Sequence, residues 1–302
     1  IVSTLVNWFP TTVDRKVRIA AWTTFVVQIL IVVTGGAVRL TASGLGCPTW
    51  PTCTEDSLVN TPEMGIHGII EFGNRLLTFL LVIVAIVTFA LVFRMRKSRR
   101  DFFWLTLLIG LGIPAQAVIG GISVLMQLNP YVVGLHFIVS IAMIVLSTVL
   151  VFRVYNGNAP RTWILTPSGL SLPRIVWLAA VFQIATIILG ILTTGSGPHA
   201  GDADAPRNGL DGGILQSLHS YPAYVAVGLT LLAIAMASRA RQLAERNALL
   251  ILLAVNVAQI VVGIVQSRTG LPPLLVGIHM LLACLVAAGT TNALLNLRKP
   301  AE

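Results

Sequence analysis

Residues 115–136, AQAVIGGISVLMQLNPYVVGLH, align without a gap with residues 258–279, AQIVVGIVQSRTGLPPLLVGIH. Nine of the 22 positions are identical, and in both copies a Gln stands twenty residues before a His, which is His136 in one copy and His279 in the other. Self-similarity at a long spacing is typical of a duplicated structural unit. We therefore expect two related halves.

Eight apolar runs of about 20 residues surround and include these two copies, and each is long enough to cross a hydrocarbon layer about 30 Å thick. The chain of 302 residues is 56% hydrophobic and only 10% charged, with a mean hydropathy of +0.87. This composition favours lipid as the solvent and predicts an all-α integral membrane protein. The predicted transmembrane helices are 19–39, 65–93, 103–126, 131–153, 175–194, 214–237, 248–267 and 274–296.

The basic residues predict the orientation in the membrane. Of the 20 Lys and Arg, sixteen fall in loops on one side, three (Arg39, Arg207 and Arg268) fall on the other, and Arg75 lies within a span. The positive-inside rule then places both termini in the cytoplasm of a bacterial-type, multi-pass cell-membrane protein. The net charge of +9 is explained by this topology, so nucleic-acid binding is not expected. We expect the first span to be retained rather than cleaved as a signal peptide.

The duplication predicts two four-helix bundles. Because each half crosses the membrane an even number of times, the repeat is parallel, with a pseudo-twofold axis along the membrane normal. We place the N-terminal half at 1–155, a cytoplasmic linker without a recognisable motif at 156–173, and the C-terminal half at 174–302.

Two cysteines, Cys47 and Cys53, lie six residues apart in the first outer loop, on the oxidising side of the membrane. A local disulfide is the favoured interpretation. Two independent thiols, or a metal pair without its other ligands, stay open as alternatives. Cys284 lies within the last span, where we expect it to pack rather than react.

Four of the five histidines fall near the outer ends of the even-numbered spans: His67, His136, His219 and His279. Ionisable side chains inside a membrane are costly and usually face the bundle interior, so four at one depth indicate a shared task. Imidazoles on facing helices can ligate a heme iron from both sides. Zinc or copper is disfavoured because thiolate or carboxylate ligands are lacking at that depth.

The second span also carries Glu71, Asn74 and Arg75, which share a helical face with His67. Glu71 and Arg75 can form a buried ion pair, or Glu71 can transfer protons and stabilise positive charge beside a heme. In the second half Gln216 stands where Glu71 is, and His219 stands where Asn74 is. This asymmetry predicts chemistry in the first half and a permanently ligated, electron-transferring heme in the second.

Together these features resemble the heme A synthases of aerobic respiratory chains. The resemblance covers nearly the whole chain and includes the Gly35–Gly44 end of the first span, the two outer-loop cysteines and the Glu71-x-x-x-Arg75 motif. It implies oxidation of the ring methyl of heme O to a formyl group, giving heme A for cytochrome oxidase. It also implies heme O synthase, an electron acceptor and lipid as partners, and a homo-oligomer stays open.

Residue by residue, the resemblance implies that His219 and His279 are the axial ligands of a resident heme b. It implies that His136 is a ligand in the half that binds the substrate heme, that Glu71 is the essential carboxylate beside Arg75, and that the outer-loop cysteines are paired. Many members of the family have His immediately before the motif arginine.

This chain departs from that pattern, because Asn74 stands immediately before the motif arginine. We hypothesise that His67 replaces the missing ligand, although it lies two turns away, about 10 Å along the helix. Ligation by His136 alone, or a structural His67, are the alternatives. We expect His199, in the second outer loop, to be exposed to solvent, with a contact to heme as the alternative.

Two other functions are compatible with paired intramembrane histidines. A di-heme electron-transfer protein of the cytochrome b type would hold two permanent hemes and leave the porphyrin unaltered. A heme transporter would also have fused repeats with polar groups inside, but usually with helices broken at mid-span.

Overall fold

The structure is a computed structural model that describes residues 9–157, 161–163 and 171–300. Within these ranges it has eight helices that are long and apolar enough to cross a membrane, as the sequence predicts. They are α1 Arg15–Leu40, α2 Gly65–Phe93, α3 Arg100–Leu125, α4 Pro130–Tyr155, α5 Leu172–Ser196, α6 Gly212–Arg239, α7 Leu243–Arg268 and α8 Pro273–Asn296. A short 3-10 helix, Pro62–Met64, precedes α2.

Most helices extend a few residues beyond the predicted apolar runs, and polar side chains cap the first turn of some of them. The Asp14 side chain accepts the N–H of Val17 at 3.0 Å at the start of α1, and Asp211 accepts the N–H of Ile214 at 2.8 Å at the start of α6. Such capping satisfies backbone donors that have no partner within the helix.

Helices that are consecutive in the sequence pack side by side within each half. In the first half α1 contacts α2, α2 contacts α3, α3 contacts α4, and α4 returns to α1; α5 to α8 repeat this order. In the described part of the chain α2 does not contact α4, and α6 does not contact α8, so the even-numbered helices lie diagonally opposite each other. The halves meet through α1 and α4 on one side and α5 and α8 on the other.

The buried core lies mainly toward the predicted cytoplasmic ends of the helices. One apolar cluster, which includes Val17, Phe102 and Leu150, fills the first half, and another, which includes Leu249 and Leu297, fills the second. A third joins the halves and contains Cys284, which is fully buried. The packing role expected for this thiol fits its position.

Large apolar side chains on the outer surface of the helices are exposed, among them Ile19, Phe79, Leu231 and Ile251. Exposed apolar surface of this extent on long helices is typical of contact with lipid.

The predicted linker contains more structure than the sequence indicates. Residues Arg161–Trp163 form a short strand, β1, which pairs antiparallel with β2, Arg298–Pro300. Helix α5 begins at Leu172, inside the predicted linker. Residues 158–160 and 164–170 of the linker lie outside the described residues, as do residues 1–8 at the start of the first half.

Candidate functional site

A single cavity of about 1930 Å³ is lined by side chains from all eight helices. Three of the four predicted ligands, His136, His219 and His279, line it, and so do Glu71 and Arg75. The fold therefore gathers most of the predicted site residues around one space, although they come from four different helices.

In the second half, His219 on α6 and His279 on α8 face each other across the cavity. Their ring centroids are 6.2 Å apart, and the ring planes are 70° from parallel. A metal ion bound by two imidazoles is about 2 Å from each nitrogen, and each ring centre lies about 1 Å farther, so a shared ion requires centres about 6 Å apart. The observed separation fits an iron held between the two rings.

A hydrogen bond sets the orientation of His219. Its Nδ1 lies 2.8 Å from the carbonyl oxygen of Thr186 on α5. Because a carbonyl oxygen only accepts, Nδ1 carries the proton, and the lone pair of Nε2 is left for a metal. Partners of this kind commonly fix the tautomer of a ligating histidine.

Glycines on the odd-numbered helices make room for the three cavity histidines. A methyl group placed on Gly190 would come within 2.8 Å of the His219 ring, one on Gly263 within 3.1 Å of His279, and one on Gly120 within 3.2 Å of His136. Each imidazole thus lies against the backbone of the preceding helix. By contrast Gly134 faces Ile191 and Gly277 faces Leu40, so these two glycines serve helix packing.

In the first half, His136 is held in position by a hydrogen bond to its backbone carbonyl oxygen. Gln116, twenty residues earlier on α3, donates from its amide to the His136 carbonyl oxygen at 3.1 Å and to Ser140 Oγ at 2.5 Å. Among the described residues, Nδ1 of His136 is buried without a hydrogen-bond partner. A buried unsatisfied nitrogen beside a large cavity is one that a bound group can engage.

Glu71 and Arg75 form the ion pair that the sequence allows, with Glu71 buried and Arg75 half-buried. The Glu71 carboxylate lies 2.6 Å from Nη2 and 3.2 Å from Nε of Arg75, and its second oxygen accepts the backbone N–H of Cys47 at 2.6 Å. Arg75 also donates to the carbonyl oxygens of Cys47, Thr49 and Thr52 at 3.0 to 3.1 Å. The pair therefore holds the first outer loop against α2.

The first outer loop covers the first-half end of the cavity. The predicted disulfide between Cys47 and Cys53 is confirmed, and both residues are fully buried. The indole of Trp50 packs against Gly121 on α3, where a Cβ would overlap it, and Trp50 lines the cavity. Trp50 was not predicted as a site residue; an aromatic residue inside a short disulfide-closed loop was its signal in the sequence.

His67 is not brought to the cavity. It is exposed near the start of α2, its Nδ1 lies 2.9 Å from Ser43 Oγ, and it is absent from the described residues that line the cavity. Asn74, two turns further along, does line the cavity and lies next to Gly35 on α1. The role of His67 as an iron ligand stays a prediction.

The expectation that His199 is exposed is wrong, because the second outer loop folds back onto the helix ends. The His199 ring is half-buried, with Nε2 2.8 Å from the Leu271 carbonyl oxygen. Its own carbonyl oxygen accepts Nε of Arg39 at 2.5 Å. His199 therefore has a structural role that joins the two halves.

The donor set fits a heme better than a bare metal ion. Within the described residues, no three His, Cys, Asp or Glu side chains lie close enough together to hold an ion. Heme needs only one or two axial side chains, since the macrocycle supplies the other ligands. The large, mostly apolar cavity also suits a flat hydrophobic ring system.

Sequence comparisons show which family the chain is similar to. A family model described as cytochrome oxidase assembly protein (COX15-CtaA) matches residues 18–291. The heme A synthase of Geobacillus kaustophilus is 31% identical over 152 residues, which are 49% of this chain and 46% of that protein. The heme A synthase of Listeria welshimeri is 33% identical over 172 residues, 55% of each chain. The chain thus spans about half the length of the curated relatives it matches.

Proposed function

The chain belongs to the COX15-CtaA family of cytochrome oxidase assembly proteins, and on this premise we propose that it is a heme A synthase, a membrane oxidoreductase. Its reaction is oxidation of the ring methyl of heme O to a formyl group, which yields heme A. The observation that carries the proposal is the pair His219 and His279, whose ring centroids lie 6.2 Å apart. The cavity between them is also lined by the Glu71–Arg75 ion pair.

The second half holds the resident heme b in this proposal, with His219 and His279 as its axial ligands. Heme b supplies one-electron transfer when bound. The chain's contribution is to present both imidazoles to the same space, with the Thr186 carbonyl orienting one ring and Gly190 and Gly263 making room. Two imidazole ligands would suit a group that relays electrons rather than one that binds a further ligand.

The first half holds the substrate, heme O, with His136 as a ligand to its iron. Transfer of electrons from the substrate methyl to a separate electron acceptor would build positive charge beside the ring. The Glu71 carboxylate, held by Arg75 and the Cys47 N–H, is placed to stabilise that charge. The second carboxylate oxygen accepts only the Cys47 N–H. It has a further lone pair, so Glu71 keeps the capacity to accept the proton that the methyl loses.

The outer loop restricts access of water to this half. Trp50 packs against Gly121 on α3, next to Gly120, which lies against the His136 ring. The disulfide and Arg75 hold the loop in place. A covered, apolar site strengthens the electrostatic effect of Glu71 and protects reactive intermediates from solvent.

The proposed orientation in the membrane is the one that the basic loops predict. Both termini lie in the cytoplasm, the halves are related by a pseudo-twofold axis along the membrane normal, and the hemes lie toward the outer face of a bacterial cell membrane. The proposed partners are heme O synthase as the source of substrate and a separate electron acceptor. The strongly basic inner loops support this orientation.

The test is extraction and mass analysis of the porphyrins bound to full-length protein from cells that also make heme O. We expect heme B together with heme A or a hydroxylated heme O. Two molecules of heme B per chain, with no altered porphyrin, would instead establish a di-heme electron-transfer protein and overturn the proposal.

A further inference from the structure

Four equivalent places surround the cavity, and only three hold a histidine. In three helix pairs, α3 with α4, α5 with α6 and α7 with α8, a glycine on the first helix faces an imidazole on the second. In the remaining pair, α1 with α2, Gly35 faces the amide of Asn74, 3.9 Å from where a Cβ would lie. Asn74 therefore occupies the position at which the other three helix pairs have a histidine.

The sequence supports the same equivalence independently. Gln216 and His219 occupy the positions of Glu71 and Asn74 when the two halves are aligned. His219 faces His279 across α6 and α8, which lie diagonally opposite, as do α2 and α4. The counterpart of that pair in the first half is Asn74 and His136.

On the basis of the proposed function, we infer that His136 is the sole protein ligand to the substrate iron. The opposite coordination position, beside Asn74, is open to a small exogenous ligand. Imidazole, thiolate, thioether and phenolate side chains serve as axial ligands of heme iron, whereas a carboxamide is not among them. The second half, with two imidazoles, has no such open position.

The Asn74 side chain is suited to form hydrogen bonds with a small ligand of the iron rather than to be an iron ligand itself. Its Oδ1 is buried and, among the described residues, has no hydrogen-bond partner. A carboxamide offers both an acceptor and two donors, and buried polar atoms of this kind are usually satisfied by water or a bound molecule. Donors beside an open heme position help to decide what binds there.

His67 does not occupy this position. It is seven residues before Asn74, about 10 Å along the helix axis at 1.5 Å per residue. Its ring is hydrogen-bonded to Ser43, and its backbone packs against Gly46. Reaching the iron would require breaking these contacts and moving the start of α2.

The test is carbon monoxide binding to the full-length protein, purified in detergent from cells that make heme O and reduced with dithionite. If heme content falls below two per chain, hemin is titrated in to fill the first half. We expect one carbon monoxide bound for every two hemes. Asn74→His should abolish this binding and give an all-low-spin spectrum, whereas the matched variant Asn74→Leu, which adds no ligand, should still bind carbon monoxide.

Two outcomes would overturn the inference. If wild-type protein binds both hemes but forms no carbon monoxide complex, the first-half iron has two protein ligands. A carbon monoxide complex that appears only in His67→Ala would identify His67 as the second protein ligand. Failure to load a second heme would also overturn it. The porphyrins in the same samples are analysed by mass, so unmodified heme O with normal carbon monoxide binding would count against the proposed function alone.

Discussion

The carboxylate of Glu71 lies 2.6 Å from the guanidinium of Arg75, one turn further along α2. The pair is more than a local ion pair, because Arg75 also donates to three carbonyl oxygens of the disulfide loop. The residue proposed for chemistry and the loop that covers the cavity are therefore parts of one hydrogen-bonded unit. A substitution at Glu71 can therefore affect both the chemistry and the position of the loop.

Substitution of Glu71 should abolish product while leaving the resident heme bound. Glu71→Gln keeps the shape and the Cys47 hydrogen bond but removes the charge, so it separates chemistry from loop support. We expect both Glu71→Gln and Glu71→Ala to lower heme A formation by about 100-fold or more, the usual effect of losing a charge-stabilising or proton-transferring group. Porphyrin analysis measures product, and the heme b spectrum is the control. Near-normal product from Glu71→Gln would show that Glu71 only supports the loop.

Substitution of either second-half histidine should remove heme b. His219→Ala or His279→Ala leaves the iron with one protein ligand, and we expect loss of the low-spin b-type spectrum and of about one heme per chain. Heme quantification against protein concentration measures the loss. His199→Ala is the matched control, because His199 contacts backbone at the outer loops. An unchanged spectrum in His219→Ala would contradict the ligand assignment.

A methyl group at Gly190 should disturb heme b while both proposed iron ligands keep their identity. The Cβ of Gly190→Ala would lie 2.8 Å from the His219 ring, so the ring must shift. We expect weaker heme b retention and an altered reduced spectrum. Gly228→Ala is the control on the same half, because nothing lies within 4 Å of its Cβ position. Equal behaviour of the two variants would mean that Gly190 does not position the ligand.

Loss of the disulfide should affect the first half selectively. Cys47→Ser with Cys53→Ser frees a short loop whose closure contributes about 2 kcal/mol in the chain-entropy description. Because this loop carries Trp50 over the cavity, we expect poorer retention of substrate heme and lower product, with heme b unchanged. Separate quantification of heme O and heme B measures this. Equal loss of both hemes would indicate a general folding defect instead.

The sequence predicts the number of spans, their approximate limits, the disulfide and four histidines at a similar depth near the outer ends of the even-numbered helices. These follow from local physics, since about 20 apolar residues must form a hydrogen-bonded helix in lipid, whatever lies next to them. The repeat adds the equivalence of residues 115–136 and 258–279. That equivalence matches His136 with His279 from the sequence alone.

The tertiary structure decided which side chains meet. A helical wheel places His67 and Asn74 on one face, but it does not say that only the second reaches the cavity, because depth and rotation of a helix are set by its neighbours. Likewise, the carbonyl oxygens that Arg75 and Arg39 bind belong to loop backbone, which has no signature in the side-chain sequence. The sequence by itself determined an eight-helix membrane protein with ligand-type side chains at one level. Only packing decided that three histidines and one asparagine share the cavity, because side chains distant along the chain are brought together by long-range contacts and not by local pattern.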